Sequence, residues 1–341
     1  MKVLVTGGTG FLGRRTVERL AKEHEVRLLV RSSSSRERFP ANVEFAVGDV
    51  TDAASLAPAV QGCEAVVHAA ALVKILAPRE EFDRVNVGGL ENVLAAAKAG
   101  GVNRVVYVSS FIALGPTERG SAGGVAGVLD ETAGEPADPT RRWINDYERT
   151  KALSDRRARG AIEQGASLNV VYPGVIYGPG ELTEGNIVVR HIMDLVARKL
   201  PGLLGKPERV WNYVFVEDVA EGIARTLERA APGARYVLGG ENVRQDEFYR
   251  LVGELTGAKI PGLRFPDTVA KTTGALMKAW ALWTNGVPQL TPDLVEIYRH
   301  DWAFDSTRAT RELGYLPRSL RSGLVETVAW LKTLPESGLK A

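Results

Sequence analysis

The chain has 341 residues, 45% of them hydrophobic and 25% charged, and a net charge of +2; this is the composition of an ordinary globular protein, with no basic field for nucleic acid. A single cysteine, Cys63, excludes an intramolecular disulfide, and the scattered His24, His68, His191 and His300 have no ligand spacing, so no metal is expected. No apolar run approaches the roughly 18 residues of a membrane span, and the first strand leaves no room for a leader, so the expected compartment is the cytoplasm.

Lys2–Thr6 carries the unbroken apolar run Val3-Leu4-Val5, as in a parallel strand covered on both faces. Gly7, Gly10 and Gly13 follow at a G-x-x-G-x-x-G spacing, and residues 11–22 have helical periodicity. Strand, glycine turn and helix in that order make a phosphate cradle: absent side chains admit a pyrophosphate to the backbone, and the helix start offers free N–H groups. Dinucleotide binding is therefore expected here.

Strands are expected at 25–30, 43–47, 65–68, 104–109 and 168–172, with helices at 53–60, 80–99 and 146–163 between them. Such alternation predicts a parallel sheet with helices on both faces and a ligand at the strands' carboxyl ends. Residues 117–142 are rich in Gly, Ala and Pro; a long loop without its own pattern is either a functional element, here an active-site flap, or disordered. Beyond Pro173 the alternation loosens, with a helix at 187–199, a strand at 210–215, helices at 217–228 and 245–256 and a short strand at 236–238 between them. The remainder is mostly helical and reads as a smaller lobe closing over the site. Within it, 267–283 carries Val269, Leu276, Met277, Trp280 and Trp283 at helical spacing. Core or lobe interface is the preferred reading of that helix, over a substrate wall or a membrane-surface contact.

The second strand ends in Val30, Arg31, Ser32, Ser33 and Ser34, where NAD-type chains usually carry Asp or Glu. A guanidinium binds a 2′-phosphate through charge-assisted hydrogen bonds that a carboxylate would oppose, so NADP(H) is expected over NAD(H). Asp49 follows the third strand, where it can accept from the adenine amino group or cap the next helix. Ala69, Ala70 and Ala71 end the fourth strand with small side chains that leave room for the cofactor.

Tyr147 and Lys151 are four apart on a helix and so share a face. A neighbouring cation favours the phenolate and brings the tyrosine toward useful acid–base range. Ser109 and Ser110 end the fifth strand, and Ser110 is the better candidate to hydrogen-bond a substrate oxygen.

TGGTGFLG, GDVTD, HAAA, VNVGGLENVL with Asn86, YVSS, YERTK and YPGVIYGPG occur in this order between Met1 and Gly180. In them the chain resembles the extended short-chain dehydrogenases/reductases. FVEDVAEGI around Asp218 and ELGYLPRSLRSGL are weaker matches, and VRSSSS is similar to the dihydroflavonol-reductase-like and 3-beta-hydroxysteroid-dehydrogenase-like branch. The resemblance implies an α/β, Rossmann-type doubly wound sheet with a smaller, mostly helical C-terminal substrate lobe. The dinucleotide domain would span 1–175 and about 210–240, the lobe about 176–209 and 241–335. It implies catalysis by Ser110, Tyr147 and Lys151, with Tyr147 exchanging the proton and Lys151 lowering its pKa and holding the nicotinamide ribose. The cofactor would lie on Gly7, Thr9, Gly10, Phe11, Leu12, Gly13, Arg31, Ser32, Asp49, Val50, Ala69, Ala70, Ala71, Tyr147, Lys151, Tyr172, Pro173 and Val175. Asn86 reads equally as a brace or as a site residue. Leu114 stands where relatives often have tyrosine, which weakens any sugar-type contact there.

The leading expectation is an NADP(H)-dependent reductase or dehydrogenase acting on a carbonyl or alcohol of a moderately apolar small molecule. An NAD-dependent nucleotide-sugar epimerase/dehydratase is the rival enzyme, and a non-catalytic NADP-binding protein is the third reading. The resemblance leaves open a homodimer contact through the 80–99 and 146–163 helices.

Overall fold

The computed structural model describes residues 1–117, 127–133, 143–284 and 286–339. Strands β1 (Lys2–Thr6), β2 (Glu25–Val30), β3 (Glu44–Val47), β4 (Ala65–His68), β5 (Arg104–Val108), β6 (Leu168–Pro173) and β9 (Arg235–Leu238) form one seven-stranded sheet in the order β3-β2-β1-β4-β5-β6-β9. Every pairing within it is parallel. Val3, Leu4 and Val5 are fully buried, which is why β1 reads as a continuous apolar run. Strand order reverses between β1 and β4, and the crevice at their carboxyl ends is where such sheets bind ligands.

One face is covered by α1 (Phe11–Leu20) and α7 (Val216–Arg229), joined by an Arg19–Glu221 ion pair. The other is covered by α2 (Ala53–Val60), α4 (Gly89–Ala99) and α5 (Asp146–Glu163). The expected helix 80–99 is a composite: α3 (Arg79–Phe82) runs through a π-helical turn, Asp83–Gly88, into α4. A π turn widens the helix locally, and such turns often sit at functional sites. Asn86 lies in this one.

A second sheet of three strands, β10-β8-β7, contains β7 (Val175–Tyr177), β8 (Val210–Phe215) and β10 (Glu241–Arg244). The strand 210–215, expected with the dinucleotide domain, thus pairs in the small sheet, while β9 extends the large one. β7 and β10 carry no pattern of their own long enough to be seen beforehand. Around this sheet lie α6 (Ile187–Val196), α8 (Gln245–Thr256), α9 (Asp267–Thr284), α10 (Pro292–Tyr298), α11 (Thr307–Leu313) and α12 (Leu320–Leu331).

The two weaker sequence signals near the C-terminus lock onto each other. Arg318 donates from its backbone N–H (2.8 Å) and Nε (3.0 Å) to Asp218, and its guanidinium lies 4.1 Å from the Phe215 ring centroid. On α9 the preferred core reading does not hold. Trp280 and Trp283 are 64% and 76% exposed, and the buried face is made of Ala270, Gly274 and Ala281. A Cβ at Gly274 would come within 2.9 Å of the Thr291 carbonyl carbon, so only a small residue fits against the start of α10. Among the described residues no helix is long and apolar enough to cross a membrane.

The 117–142 loop is anchored at its start, where Thr117 N–H donates to Asp301 O (2.8 Å), and near its centre, where Leu129 N–H donates to Ala303 O (3.1 Å). The rest of the expected flap, 118–126 and 134–142, lies outside the described residues.

Candidate active site

Between β1 and α1 the backbone is packed too closely for side chains. Gly7 has φ +75°, and a Cβ on it would lie 2.4 Å from Ala70 N; one on Gly13 would lie 2.1 Å from Gly7 O. Gly10 is the N-cap of α1 and leaves the first turn without a side-chain cap. The open N–H groups and dipole of that turn face a cleft lined by Gly10, Phe11, Leu12 and Gly13. These features fit the pyrophosphate of a dinucleotide.

The cleft has a volume of about 1660 Å³ and joins three regions. At the end beside β2 and β3 it is lined by Arg31, Ser34, Asp49, Val50, Thr51 and Arg84. Asp49 accepts from Thr51 N–H and Thr51 Oγ1, both at 2.8 Å. Burial pushes its carboxyl up, but the Thr51 hydrogen bonds and the Arg31 and Arg84 charges outweigh this and hold it below the ordinary carboxylate range. The cap of α2 is Asp52, which accepts from Ala54 N–H (3.1 Å), so Asp49 is free of that duty. Arg84, whose Nη1 donates to Thr51 Oγ1 (3.1 Å), gave no sequence signal because it sits in the π turn, out of register with the pattern.

In the middle of the cleft, the carboxyl ends of β5 and β6 meet the start of α5. An Asn145 cap and a returning Glu148 start that helix: Asn145 Oδ1 accepts from Glu148 N–H (2.8 Å), and Glu148 Oε2 accepts from Ile144 N–H (2.5 Å). Tyr147 therefore stands in the first turn, with Lys151 one turn on. The Ser110 side chain lies beside the Tyr147 phenol, and both line the cleft. Burial pushes Tyr147 up to about 12, only partly offset by Ser110, and burial pushes Lys151 down to about 7. The phenol is thus protonated: desolvation dominates, and the lowering expected from the neighbouring lysine is not among the causes that act on it.

Lys151 Nζ donates to Val108 O (3.1 Å) and lies 5.3 Å from the centroid of the Tyr107 ring. His68 stacks on Tyr107 and shares a 2.7 Å hydrogen bond between its Nδ1 and Thr6 Oγ1. Burial, then the Lys151 charge, lowers His68 to about 3, so it is neutral. In the sequence His68 showed no ligand spacing and was given no role of its own. Asn86 is a brace: it accepts from Leu72 N–H (2.7 Å) and donates to Leu72 O (3.3 Å) and Thr150 Oγ1 (3.0 Å).

The far end of the cleft is an aromatic chamber formed by Trp211, Tyr213, Phe248 and Tyr298 with His191. Tyr213 stacks on Phe248 at 4.5 Å, and Trp211 lies 4.6 Å from Tyr298. His191 Nε2 is hydrogen-bonded to Tyr249 Oη (3.0 Å), and burial lowers its pKa to about 4, so it is uncharged. The alternating aromatics of VWNYVF were the one local hint of this wall. Lys278 and Leu282 of α9 also line the cleft, and Lys278 is paired with Asp293.

Of the expected cofactor residues, Gly7, Thr9, Gly10, Phe11, Leu12, Gly13, Arg31, Asp49, Val50, Ala69, Ala70, Ala71, Tyr147, Lys151, Pro173 and Val175 all line the cleft, as does Ser110. Ser32 and Tyr172 do not; Ser34 takes the first position, and Tyr172 is fully buried with its hydroxyl on Asp155. Alternation explains Tyr172: its neighbour Pro173 lines the cleft, so it points into the core. Leu114 is likewise buried away from the cleft. Among the described residues no group of His, Cys, Asp or Glu could hold a metal ion.

The family model for the NAD dependent epimerase/dehydratase family matches residues 3–239. Over 339 residues the chain is 31% identical to "Sterol demethylase protein B" of Methylococcus capsulatus, covering 97% of this chain and 98% of that one. It is 29% identical to a "Putative dihydroflavonol 4-reductase" of Synechocystis, covering 96% and 94%. The crystal structure of gox2253 superimposes with a TM-score of 0.80 at 32% identity, covering 98% of both chains. The chain belongs to the NAD-dependent epimerase/dehydratase family, in the extended short-chain dehydrogenase/reductase branch that includes dihydroflavonol reductases and 3-beta-hydroxysteroid dehydrogenases.

Proposed function

We propose that this protein is an NADP(H)-dependent oxidoreductase that reduces a carbonyl, or oxidises the matching alcohol, on a flat apolar small molecule. The observation that carries the reading is one cleft that joins a phosphate cradle, the Ser110, Tyr147 and Lys151 side chains, and an aromatic chamber, with burial keeping the Tyr147 phenol protonated. The cofactor, when bound, supplies or accepts the hydride; the protein orients and exchanges the proton. Ser110 and Tyr147 would hydrogen-bond the substrate oxygen together. In the reducing direction, Tyr147 Oη gives its proton to that oxygen as negative charge develops on it, and the Lys151 ammonium stabilises the phenolate left behind.

Arg31, with Ser34 and Arg84 nearby, favours a 2′-phosphate at the adenosine end. The aromatic chamber favours an apolar ring system. A nucleotide sugar would bring a diphosphate into a region whose histidine is neutral and whose lysine is already paired. Relatives named "Putative dihydroflavonol 4-reductase" and "3-beta-hydroxysteroid dehydrogenase" support the same reading.

The test is to denature the purified protein, identify any nucleotide released, and titrate the stripped protein with NADPH and NADH. Exchangeable cofactor with NADPH preferred is the expected result. NAD held through purification would overturn it in favour of an epimerase or dehydratase. Tyr147→Phe should then abolish turnover of a ketone substrate while NADPH still binds within about threefold of wild type; retained turnover would remove the tyrosine from its role.

A further inference from the structure

Lys151 carries its charge in an unusual setting. It is 3% exposed, and among the described residues no carboxylate forms an ion pair with it. Burial without a counter-ion disfavours the ammonium. Two contacts work the other way: the Val108 carbonyl at 3.1 Å and the face of the Tyr107 ring, 5.3 Å from Nζ to centroid. An ammonium within about 6 Å of a ring centroid is attracted by the negative face, and more strongly where water is excluded.

The ring itself is held by its neighbours. His68 stacks on it at 5.8 Å and 23° between planes, and Thr6 Oγ1 fixes His68. The Tyr107 hydroxyl lies near the Ser154 side chain, whose Oγ donates to Asn86 O (2.9 Å). Tyr107 does not line the cleft and would touch neither cofactor nor substrate. The titratable groups around the ammonium are His68 from β4, Tyr107 from β5 and Tyr147 on α5 itself. Asp155, one turn on, is engaged by Tyr172 from β6 and by Arg159.

We propose that Tyr107 is a positioning residue: its ring face seats the Lys151 ammonium beside Tyr147, and it acts through that π surface rather than through its hydroxyl. The relevance to catalysis rests on the role given above to Lys151; the contact and its test do not.

The test uses the full chain without cofactor, labelled with 13C at lysine Cε, the Lys151 signal being identified by its loss in Lys151→Met. The titration midpoint of Lys151 is followed in wild type, in Tyr107→Phe, and in proteins with phenylalanine carrying one, two or three ring fluorines at position 107. Fluorine drains the negative face with little change of shape, so the series is expected to fold, which thermal melts check. Tyr107→Phe should leave the midpoint where it is. Each added fluorine should lower it, reaching about one pH unit at three. A midpoint flat across the fluorine series would overturn the proposal, as would Tyr107→Phe shifting it as far as the trifluorinated ring does. Either result would leave the oxidoreductase reading intact. Absence of turnover in wild type would sink that reading without touching the contact.

Discussion

Asn86 Nδ2 donates to Thr150 Oγ1 across 3.0 Å, tying the π turn to the residue that precedes Lys151 on α5. The same amide closes a pair of bonds with the backbone of Leu72 in the segment that follows β4. One buried side chain therefore joins three chain segments around the middle of the cleft. Asn86→Ala leaves the Leu72 N–H without its acceptor, and removing such partners costs about 1–3 kcal/mol. A stability loss of about 2–3 kcal/mol in urea unfolding is the expected outcome; a loss below 0.5 kcal/mol would mean that other groups satisfy these atoms.

Gly10 and Gly13 line the same cradle but differ in what a methyl group would meet. At Gly13 it would strike the Gly7 carbonyl at 2.1 Å, and backbone cannot yield cheaply; at Gly10 the nearest atom is at 3.4 Å. Gly13→Ala should destabilise the protein by about 1–3 kcal/mol and reduce dinucleotide affinity. Gly10→Ala should keep its melting temperature and lose affinity alone, because its methyl intrudes on the space for the pyrophosphate. Calorimetry and nucleotide titration on both variants separate the two; equal melting losses would refute the distinction.

Arg31 is exposed and lines the end of the cleft proposed above for the adenosine. Replacing it with aspartate exchanges charge-assisted donors for repulsion of a 2′-phosphate. Arg31→Asp should weaken NADPH binding on the order of 100-fold and NADH binding by no more than about threefold. Equal losses for both cofactors would end the case for NADP(H).

Lys151 gives a pH signature with a definite sign. Its pKa falls from 10.5 unfolded to about 7 folded through burial. Between those values the unfolded chain binds the additional proton, so stability rises with pH over about 7 to 10.5; below about 7 the full cost of burying the ammonium is present. Lys151→Met removes that cost. It should melt well above wild type at pH 6, by an amount on the order of a few kcal/mol, and the gap should narrow toward pH 10. His68 acts in a lower window, between its ordinary 6.5 and about 3, and does not blur the reading. A gap independent of pH would show that the lysine is not buried as a titrating base.

Much of the site was legible because its parts are local. The G-x-x-G-x-x-G turn needs glycine where backbone meets backbone, and Tyr147 and Lys151 share a face because helix geometry puts residues four apart together. What escaped the reading depends on partners far along the chain. Trp280 and Trp283 have core-like spacing, yet α9 buries its small-residue face because α10 approaches it closely at Gly274. Tyr172 sits in a motif beside cleft residues, yet strand alternation turns it inward to Asp155.

The α/β architecture follows from the alternation of strands and helices along the chain, and the glycine turn and the tyrosine–lysine pair from spacing along single elements. Tertiary structure alone decided that Asp218 and Arg318 hold the C-terminal segment in place, that Asn86 is a brace, and that β8, α8 and α10 together build the aromatic chamber. It also decided the charge states at the centre of the site. Those depend on how much water is excluded around Tyr147 and Lys151, a property of the packed molecule that no stretch of sequence contains.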